Sequence, residues 1–451
     1  MVDVIKNNYL IAIIIYTFVS LYMGRRNPMF YLLLPYALQQ GEAAFIDQSL
    51  SLGGKNILSP YANIFIDVLF FITSIFVLFL IKTRHRTISW AGTTLIWLFL
   101  GYVVLLWIVS LINYPDIEEV LLTGRQFIYI SLSYFLWIGV FQAVTRDQYE
   151  QFIRLMFYVT PVSAVLYILN SAKIISLYDP ALIYQEVGFG TDVFLRDFRT
   201  IPLWLIPIMV LSFLSLVTGL FRIPKAIIAV NIMVLPVALL FTFTRSLVFM
   251  VLMQTGFLFF LFFLKLDIKL IRNGMLVLAF LAVPLVIIQN IFPGQSNYFQ
   301  ERFLSVKQEG GEDQNVKVRF NYVAEARQVV SENSTLLGAG MNRFYYPRMN
   351  ATGAWVADST IPYFLIHTGW IGVILLFGMV FVFFIDSLIF FMRTEDWLVG
   401  YLSGYFLTLF ISALIMGGEM LTGSVWTLVN FALYSVIKFN SWRLADQTIE
   451  G

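Results

Sequence analysis

Apolar runs long enough to cross about 30 Å of hydrocarbon recur along the chain, separated mostly by short polar connections. They fall near residues 8–23, 61–81, 88–112, 127–144, 153–170, 201–220, 226–243, 246–264, 274–292, 360–391, 398–416 and 420–437. Twelve spans are expected, and thirteen if MFYLLLPYALQQ at 29–40 also crosses; that segment is short for a span and reads equally as a half-helix or an interfacial piece. The 39 residues from 226 to 264 exceed one ordinary helix, so a hairpin is expected there with Thr244-Arg245-Ser246 at its turn. The longest polar interval, 292–360, opens with SVKQEGGEDQNVK and becomes helix-like over VRFNYVAEARQVVSEN, where valine, phenylalanine and alanine recur among polar residues. Loop signals follow at LLGAG and MNATGAW. The expected fold is therefore all-α, a polytopic integral membrane bundle of about 12 (12–13) transmembrane helices with one large extracytoplasmic loop.

Lysine and arginine clusters mark cytoplasmic connections. KTRHR (82–86), TRDQYEQFIR (145–154), FRIPK (221–225), KLDIKLIR (265–272) and the C-terminal KFNSWR (438–443) occupy one set of alternate connections and are expected inside. The opposite set, expected outside, includes 39–60, 113–126, 171–200 and 292–360. Arg25 and Arg26 fit this scheme only if 29–40 crosses, which places the N-terminus outside. The first apolar run follows a single lysine and shows no clear cleavage site, so it reads as a retained span.

Composition agrees with a membrane chain and removes several chemistries. The 451 residues are 59% hydrophobic and only 12% charged, with a mean hydropathy of +0.81. A net charge of +2, carried by short scattered clusters, gives no nucleic-acid footprint. Without cysteine there is no disulfide, thiol nucleophile or cysteine metal site, and two histidines alone cannot make a zinc site. No internal repeat is visible, which counts against the inverted-repeat architecture of many transporters.

Three residues on the expected outer side carry candidate chemistry: Arg245 at the hairpin tip, Arg319 at the start of the helix-like stretch, and Asp358 before the tenth span. A guanidinium deep in a bilayer is costly, so Arg245 belongs at an edge, in a wet cavity or beside a partner. Each also has a plainer reading: Arg245 as a snorkelling interfacial residue, Arg319 as a solvated charge, Asp358 as a helix cap ahead of Thr360 and Pro362. Secondary candidates for binding are Arg125, Arg196, Arg199, Arg327, Arg343 and Arg348, with Glu419 as an alternative base. Trp355, Tyr345 and Tyr346 can stack on sugars or anchor at the membrane interface. His367, inside an apolar span, reads as a packed helix residue.

Several of these stretches resemble the O-antigen ligase and O-antigen polymerase superfamily. TFTRSLVF is similar to the family's T-x-S-R-G/S-x helix start. VRFNYVAEARQVVSENSTLLGAGMNRF follows the family's order of arginine, helix, G-x-G and aromatic, and Arg327 precedes Gly338 as in the polymerases' R-x10-G pattern. DSTIPYFLIHTGWIG stands where the family commonly has H-N-x-x-L, with Asp358 at the position of the ligases' histidine; that departure tilts the reading toward polymerase. The resemblance covers 235–377. It divides the chain into N-terminal transmembrane helices (1–234), a ligase/polymerase-like core (235–377, including loop 292–360), and C-terminal helices with a cytoplasmic tail (378–451).

The resemblance implies transfer of a glycan from undecaprenyl pyrophosphate to a hydroxyl of another glycan at the outer face of a bacterial plasma (inner) membrane. Its partners would be that lipid-linked glycan, membrane lipid and a chain-length regulator protein, with no cofactor. An arginine suits the departing pyrophosphate because its planar fork binds phosphate oxygens bidentately, and Asp358 or Glu419 would take the hydroxyl's proton. The chain has no D-x-D; Asp116-Ile117-Glu118 comes nearest and reads as a solvated acidic turn, so no metal is expected. The competing readings are ligase-type transfer, a transporter or flippase, and an envelope scaffold.

Overall fold

A backbone surrounded by lipid must satisfy its own N–H and C=O groups, so long apolar runs fold as helices. The computed structural model describes residues 18–32, 51–52, 55–56, 72, 75, 79, 90–114, 117, 120, 134, 137–172, 174, 184–189, 192–197, 205–242, 245–291, 314–341, 360–415 and 430–438. Its helices are α1 (Ala91–Asn113), α2 (Arg146–Ser171), α3 (Leu205–Thr218), α4 (Lys225–Phe241), α5 (Arg245–Leu264), α6 (Ile268–Ile291), α7 (Gln314–Glu332), α8 (Thr360–Thr394) and α9 (Trp397–Ile415). Residues 137–143 and 430–438 are helical as well. Among the described residues, Ala91–Asn113, Asp147–Leu169, Leu247–Leu264 and Ile361–Thr394 are long and apolar enough to cross a membrane. Leu205–Thr218, Lys225–Phe241 and Trp397–Ser412 are shorter apolar helices. The chain is a helical membrane protein.

Two antiparallel hairpins add to the expected all-α design. β1 (Ser51–Leu52) pairs with β2 (Lys55–Asn56), and β3 (Tyr184–Phe189) pairs with β4 (Asp192–Asp197), Tyr184 opposite Asp197. The second lies within 171–200, where only a loop was expected. Tyr184, Val187 and Phe189 before Gly190-Thr191 and Val193 and Phe194 after it favour strands, a short-range pattern that carries no span-length hydropathy.

The chain forms two units, Met1–Arg86 with Phe135–Ser212 and Phe221–Phe243, and Thr87–Tyr134 with Phe213–Leu220 and Thr244–Gly451. In the first unit α2 packs on α4, where buried Asn231 donates from Nδ2 to the Phe157 carbonyl at 3.0 Å. A short 3-10 helix, Pro28–Leu32, lies against α2, with the Phe30 and Phe152 rings 5.6 Å apart. Beside it, Asn27 Nδ2 donates to the Gln148 carbonyl at 2.7 Å and Gln148 Nε2 donates to the Arg26 carbonyl at 3.0 Å. The Arg25-Arg26 cluster and the 145–154 connection therefore share one end of this unit. Residues 33–40, and with them most of the doubtful thirteenth span, lie outside the described residues.

In the second unit ring contacts fix the helix directions. Phe262 meets Trp397 at 5.0 Å, Phe391 meets Trp397 at 5.1 Å, Phe257 meets Phe384 at 6.0 Å and Phe383 meets Phe406 at 5.3 Å. Consequently α9 runs antiparallel to both α5 and α8, which run parallel to each other. Gly400 and Gly404 leave room for this packing: a Cβ there would stand 3.0 Å from the Phe391 ring and 2.9 Å from the Phe257 ring. Small residues at such seams let helices approach where lipid gives no hydrophobic drive. Beyond one end of α5 and α8, Lys265 pairs with Glu395 at 2.7 Å. Toward the same end Lys438 pairs with Asp386 at 2.9 Å, and Tyr434 Oη donates to the same carboxylate at 2.6 Å. The clusters 265–272 and 438–443, both expected inside, thus begin at one end of the unit.

Candidate functional site

α8 is interrupted near its start. Gly369 has φ 60° and ψ −167°, a conformation open essentially to glycine alone, so Thr360–Thr394 is a short helix over 360–368 followed by a long one over 370–394. The interruption frees carbonyls on one side and N–H groups on the other, and an unpaired buried group costs about 1–3 kcal/mol.

The turn that follows α7 fills those vacated positions. Ala339 N donates to the Ile366 carbonyl at 2.6 Å, while Trp370 N and Ile371 N donate to the Thr335 and Leu336 carbonyls, each at 3.2 Å. Tyr102 Oη of α1 donates to the Thr368 carbonyl at 2.6 Å and reaches the Leu336 carbonyl at 3.5 Å. The other side of the turn is held by α1 and by the first part of α8. Tyr114 Oη donates to the Ala339 carbonyl at 2.6 Å, Met341 N donates to Ser110 Oγ at 2.9 Å, and His367 Nδ1 bonds the Gly340 carbonyl at 2.9 Å. A carbonyl only accepts, so Nδ1 is the protonated nitrogen.

The glycines of LLGAG are there for this contact. Gly338 and Gly340 have φ 75° and 81°, which glycine adopts without strain. A Cβ on Gly338 would stand 2.5 Å from the Ile366 carbonyl oxygen, and one on Gly340 would stand 2.7 Å from Ser110 Oγ. His367 is 2% exposed, and its ring meets the edge of Tyr363 at 4.9 Å. It is a packed helix residue, as its place in the apolar run suggested.

Arg245 begins α5 at the same end. Counting back from the Phe257–Phe384 contact, Arg245 is twelve residues away along α5 and Gly369 fifteen along α8. At about 1.5 Å per residue these are roughly 18 and 22 Å, so the Arg245 backbone stands within about one helical turn of the level of Gly369. α6 returns antiparallel to α5, with Gly274 against Phe259 and Phe262, and brings Ile291 to this end too. α7 packs on α8, with Ala326 and Val330 buried and Arg327 exposed. Arg319 lies in the same helix, seven residues before Ala326.

The candidates separate accordingly. Arg245, Arg319 and Arg327 belong to the second unit, the first two at the start of α5 and within α7, whereas Arg196 lies in β4 of the first unit. Asp358, Arg125, Arg199, Arg343, Arg348, Glu419, Asp116, Glu118, Trp355, Tyr345 and Tyr346 lie outside the described residues. Of the expected turn Thr244-Arg245-Ser246, Arg245 and Ser246 instead open α5, while α4 ends at Phe241; Phe243 and Thr244 lie outside the described residues. Sequence reasoning missed Tyr102, Ser110 and Tyr114, which touch the turn from more than 200 residues away. Only Gly338, Gly340 and Gly369 offered a local signal, as glycines in or beside apolar runs. Among the described residues, no three His, Asp or Glu side chains are grouped as a metal site would require. Compared with known proteins, the chain matches no protein-family model and no curated protein at a significant level.

Proposed function

We propose that the protein is a membrane glycosyltransferase that polymerises undecaprenyl-pyrophosphate-linked oligosaccharide repeats of a bacterial surface polysaccharide at the outer face of the plasma membrane. The observation that carries this reading is the level of Arg245. An arginine at a helix start lies at about the level of a glycine turn that fastens an arginine-bearing helix to an interrupted span. The 25 residues from 370 to 394 extend about 37 Å, longer than the ~30 Å of hydrocarbon they have to cross. The break at Gly369 therefore belongs at the membrane boundary, where a lipid carrier presents its pyrophosphate.

In the reaction, the acceptor hydroxyl oxygen forms a bond to the anomeric carbon of the donor glycan as the bond from that carbon to the pyrophosphate oxygen breaks. The electron pair leaves with the lipid pyrophosphate, and the hydroxyl proton passes to Asp358. Arg245 and Arg319 hold the pyrophosphate as its charge grows, which is where preorganised cations contribute most. They do the work a divalent cation does in other glycosyl transfers, so the reaction runs without added metal.

Sidedness follows the positive-inside rule. The end carrying Lys265 and Lys438 is cytoplasmic, and the Arg245 end is outside. Arg25 and Arg26 share an end with the 145–154 connection, which supports reading a crossing between residue 27 and the span at 61–81 and a total of thirteen spans.

The test is to supply purified protein in lipid with a lipid-linked oligosaccharide and no nucleotide sugar, ATP or metal. Lengthening of the lipid-linked glycan is the expected result. Transfer to a different acceptor class without lengthening would make the protein a ligase, movement of the glycan across the bilayer without transfer would make it a flippase, and the absence of both would leave the scaffold.

A further inference from the structure

We propose that Tyr102, Ser110 and Tyr114 of α1 and His367 of α8 are positioning residues that lock the 334–341 turn into the break at Gly369 and thereby hold α7, with Arg319, at the Arg245 end of the unit. This rests on the proposed transfer reaction only for its catalytic consequence.

Many of the turn's backbone groups bond α8 or one of these side chains. In the turn, the Thr335 and Leu336 carbonyls accept from Trp370 and Ile371, Ala339 N donates to the Ile366 carbonyl, the Ala339 carbonyl accepts from Tyr114, the Gly340 carbonyl bonds His367, and Met341 N donates to Ser110. Gly338 N returns to the Ser334 carbonyl at 2.8 Å. Backbone bonds to α8 alone account for one side of the turn. The other side depends on three side chains, and a fourth, Tyr102, closes the Thr368 carbonyl that the break exposes. Irregular backbone that is buried among helices persists where such partners satisfy its polar groups.

The division of labour is informative. Gly338 and Gly369 make the close approach possible, but glycines impose no register. The four side chains do, because each bonds one named atom of the turn or the break. α7 ends at Glu332, with only Asn333 between it and the turn, so its direction is set by how the turn is seated. A loosened turn would let α7 swing while α8 and α1 remain packed through contacts such as Phe99 with Phe364, 6.3 Å apart. Positioning of this kind acts through the arginines without touching substrate.

The test uses the full chain in lipid. Spin labels are attached to cysteines introduced at Gln328 on α7 and Leu252 on α5, both exposed, in a chain that has no cysteine of its own. The parent should give one narrow distance. Tyr102→Phe combined with Tyr114→Phe should broaden it and lower turnover roughly fivefold to tenfold at unchanged KM, as expected for one or two lost hydrogen bonds. His367→Asn keeps a donor near the Nδ1 position and should hold the parent distance, whereas His367→Leu should not. Ser110→Ala, a smaller change, tests the same point if the double variant does not fold. An unchanged narrow distance in the folded tyrosine or serine variants and in His367→Leu would overturn the proposal. If the parent transfers no glycan, the proposed reaction falls, and the label distances still decide the role of the clamp.

Discussion

Gly338 and Gly369 meet backbone to backbone: a Cβ on Gly338 would lie 2.6 Å from the Gly369 nitrogen, and one on Gly369 would overlap the Leu336 carbonyl. Neither glycine can be replaced without moving the main chain. Gly338→Ala and Gly369→Ala should each cost at least about 2 kcal/mol, from the positive φ and the clash together. Gly378, which has open space where its Cβ would go, is the control: Gly378→Ala should be neutral or slightly stabilising by helix propensity. Thermal unfolding in lipid reads all three.

Arg245→Lys separates a pyrophosphate ligand from a snorkelling residue. A lysine keeps the charge but loses the two-pronged geometry, so turnover should fall nearly as far as in Arg245→Ala, by roughly 2–4 kcal/mol of transition-state stabilisation. Full activity of Arg245→Lys and Arg319→Lys in lipid-linked chain elongation would remove the pyrophosphate site.

Asp358→Asn keeps shape and capping ability while removing the proton-accepting charge. Turnover should fall by 100-fold or more, on the order of a lost general base, with expression unchanged. A variant that polymerises at the parental rate would make Asp358 a cap and Glu419 the next candidate.

The Asp386–Lys438 pair should behave as a partly buried ion pair. Its side chains are 27% and 11% exposed, so Lys438→Met alone leaves a carboxylate with only Tyr434 as its hydrogen-bond donor among the described contacts. We expect a loss of about 2–4 kcal/mol, on the lower side because Asp386 stays partly solvated. Asp386→Asn together with Lys438→Met should recover most of it, and additive losses in a double-mutant cycle would show that the two residues act independently.

The Asn27–Gln148 contact predicts which side the N-terminus faces. Single cysteines at Asp3, Ser296 and Ser305 should label from outside and one at Ser441 from inside. Labelling of position 3 from the cytoplasm would mean that no crossing lies between Asn27 and the span at 61–81.

Much of the helical body was legible because apolar runs of span length leave the backbone few other options in lipid. The helix at 314–332 and the break before Arg245 were also visible, one from the recurrence of small and apolar residues, the other because 226–264 is too long for one helix. Gly369 was not read as a break, because HTGWIG is apolar enough to continue a span and an isolated glycine is tolerated in a helix. The clamp was invisible for a different reason. Tyr102, Ser110 and Tyr114 sit in an unremarkable apolar helix, and only tertiary structure shows that they face a turn more than 200 residues away. The β3–β4 hairpin is not legible from hydropathy because its strands are six residues long and interleave charged with apolar side chains.

The length of the 370–394 segment carries a consequence for the membrane itself. A span longer than the hydrocarbon is accommodated by tilting, by local thickening of the bilayer, or by projecting from it. α5, with 20 residues, matches the hydrocarbon more closely than its parallel neighbour does. Thinning the bilayer with shorter acyl chains would therefore force the two helices to adjust unequally, shifting Arg245 relative to the Gly369 break, so acyl-chain length becomes a physical dial on the geometry of the arginine end.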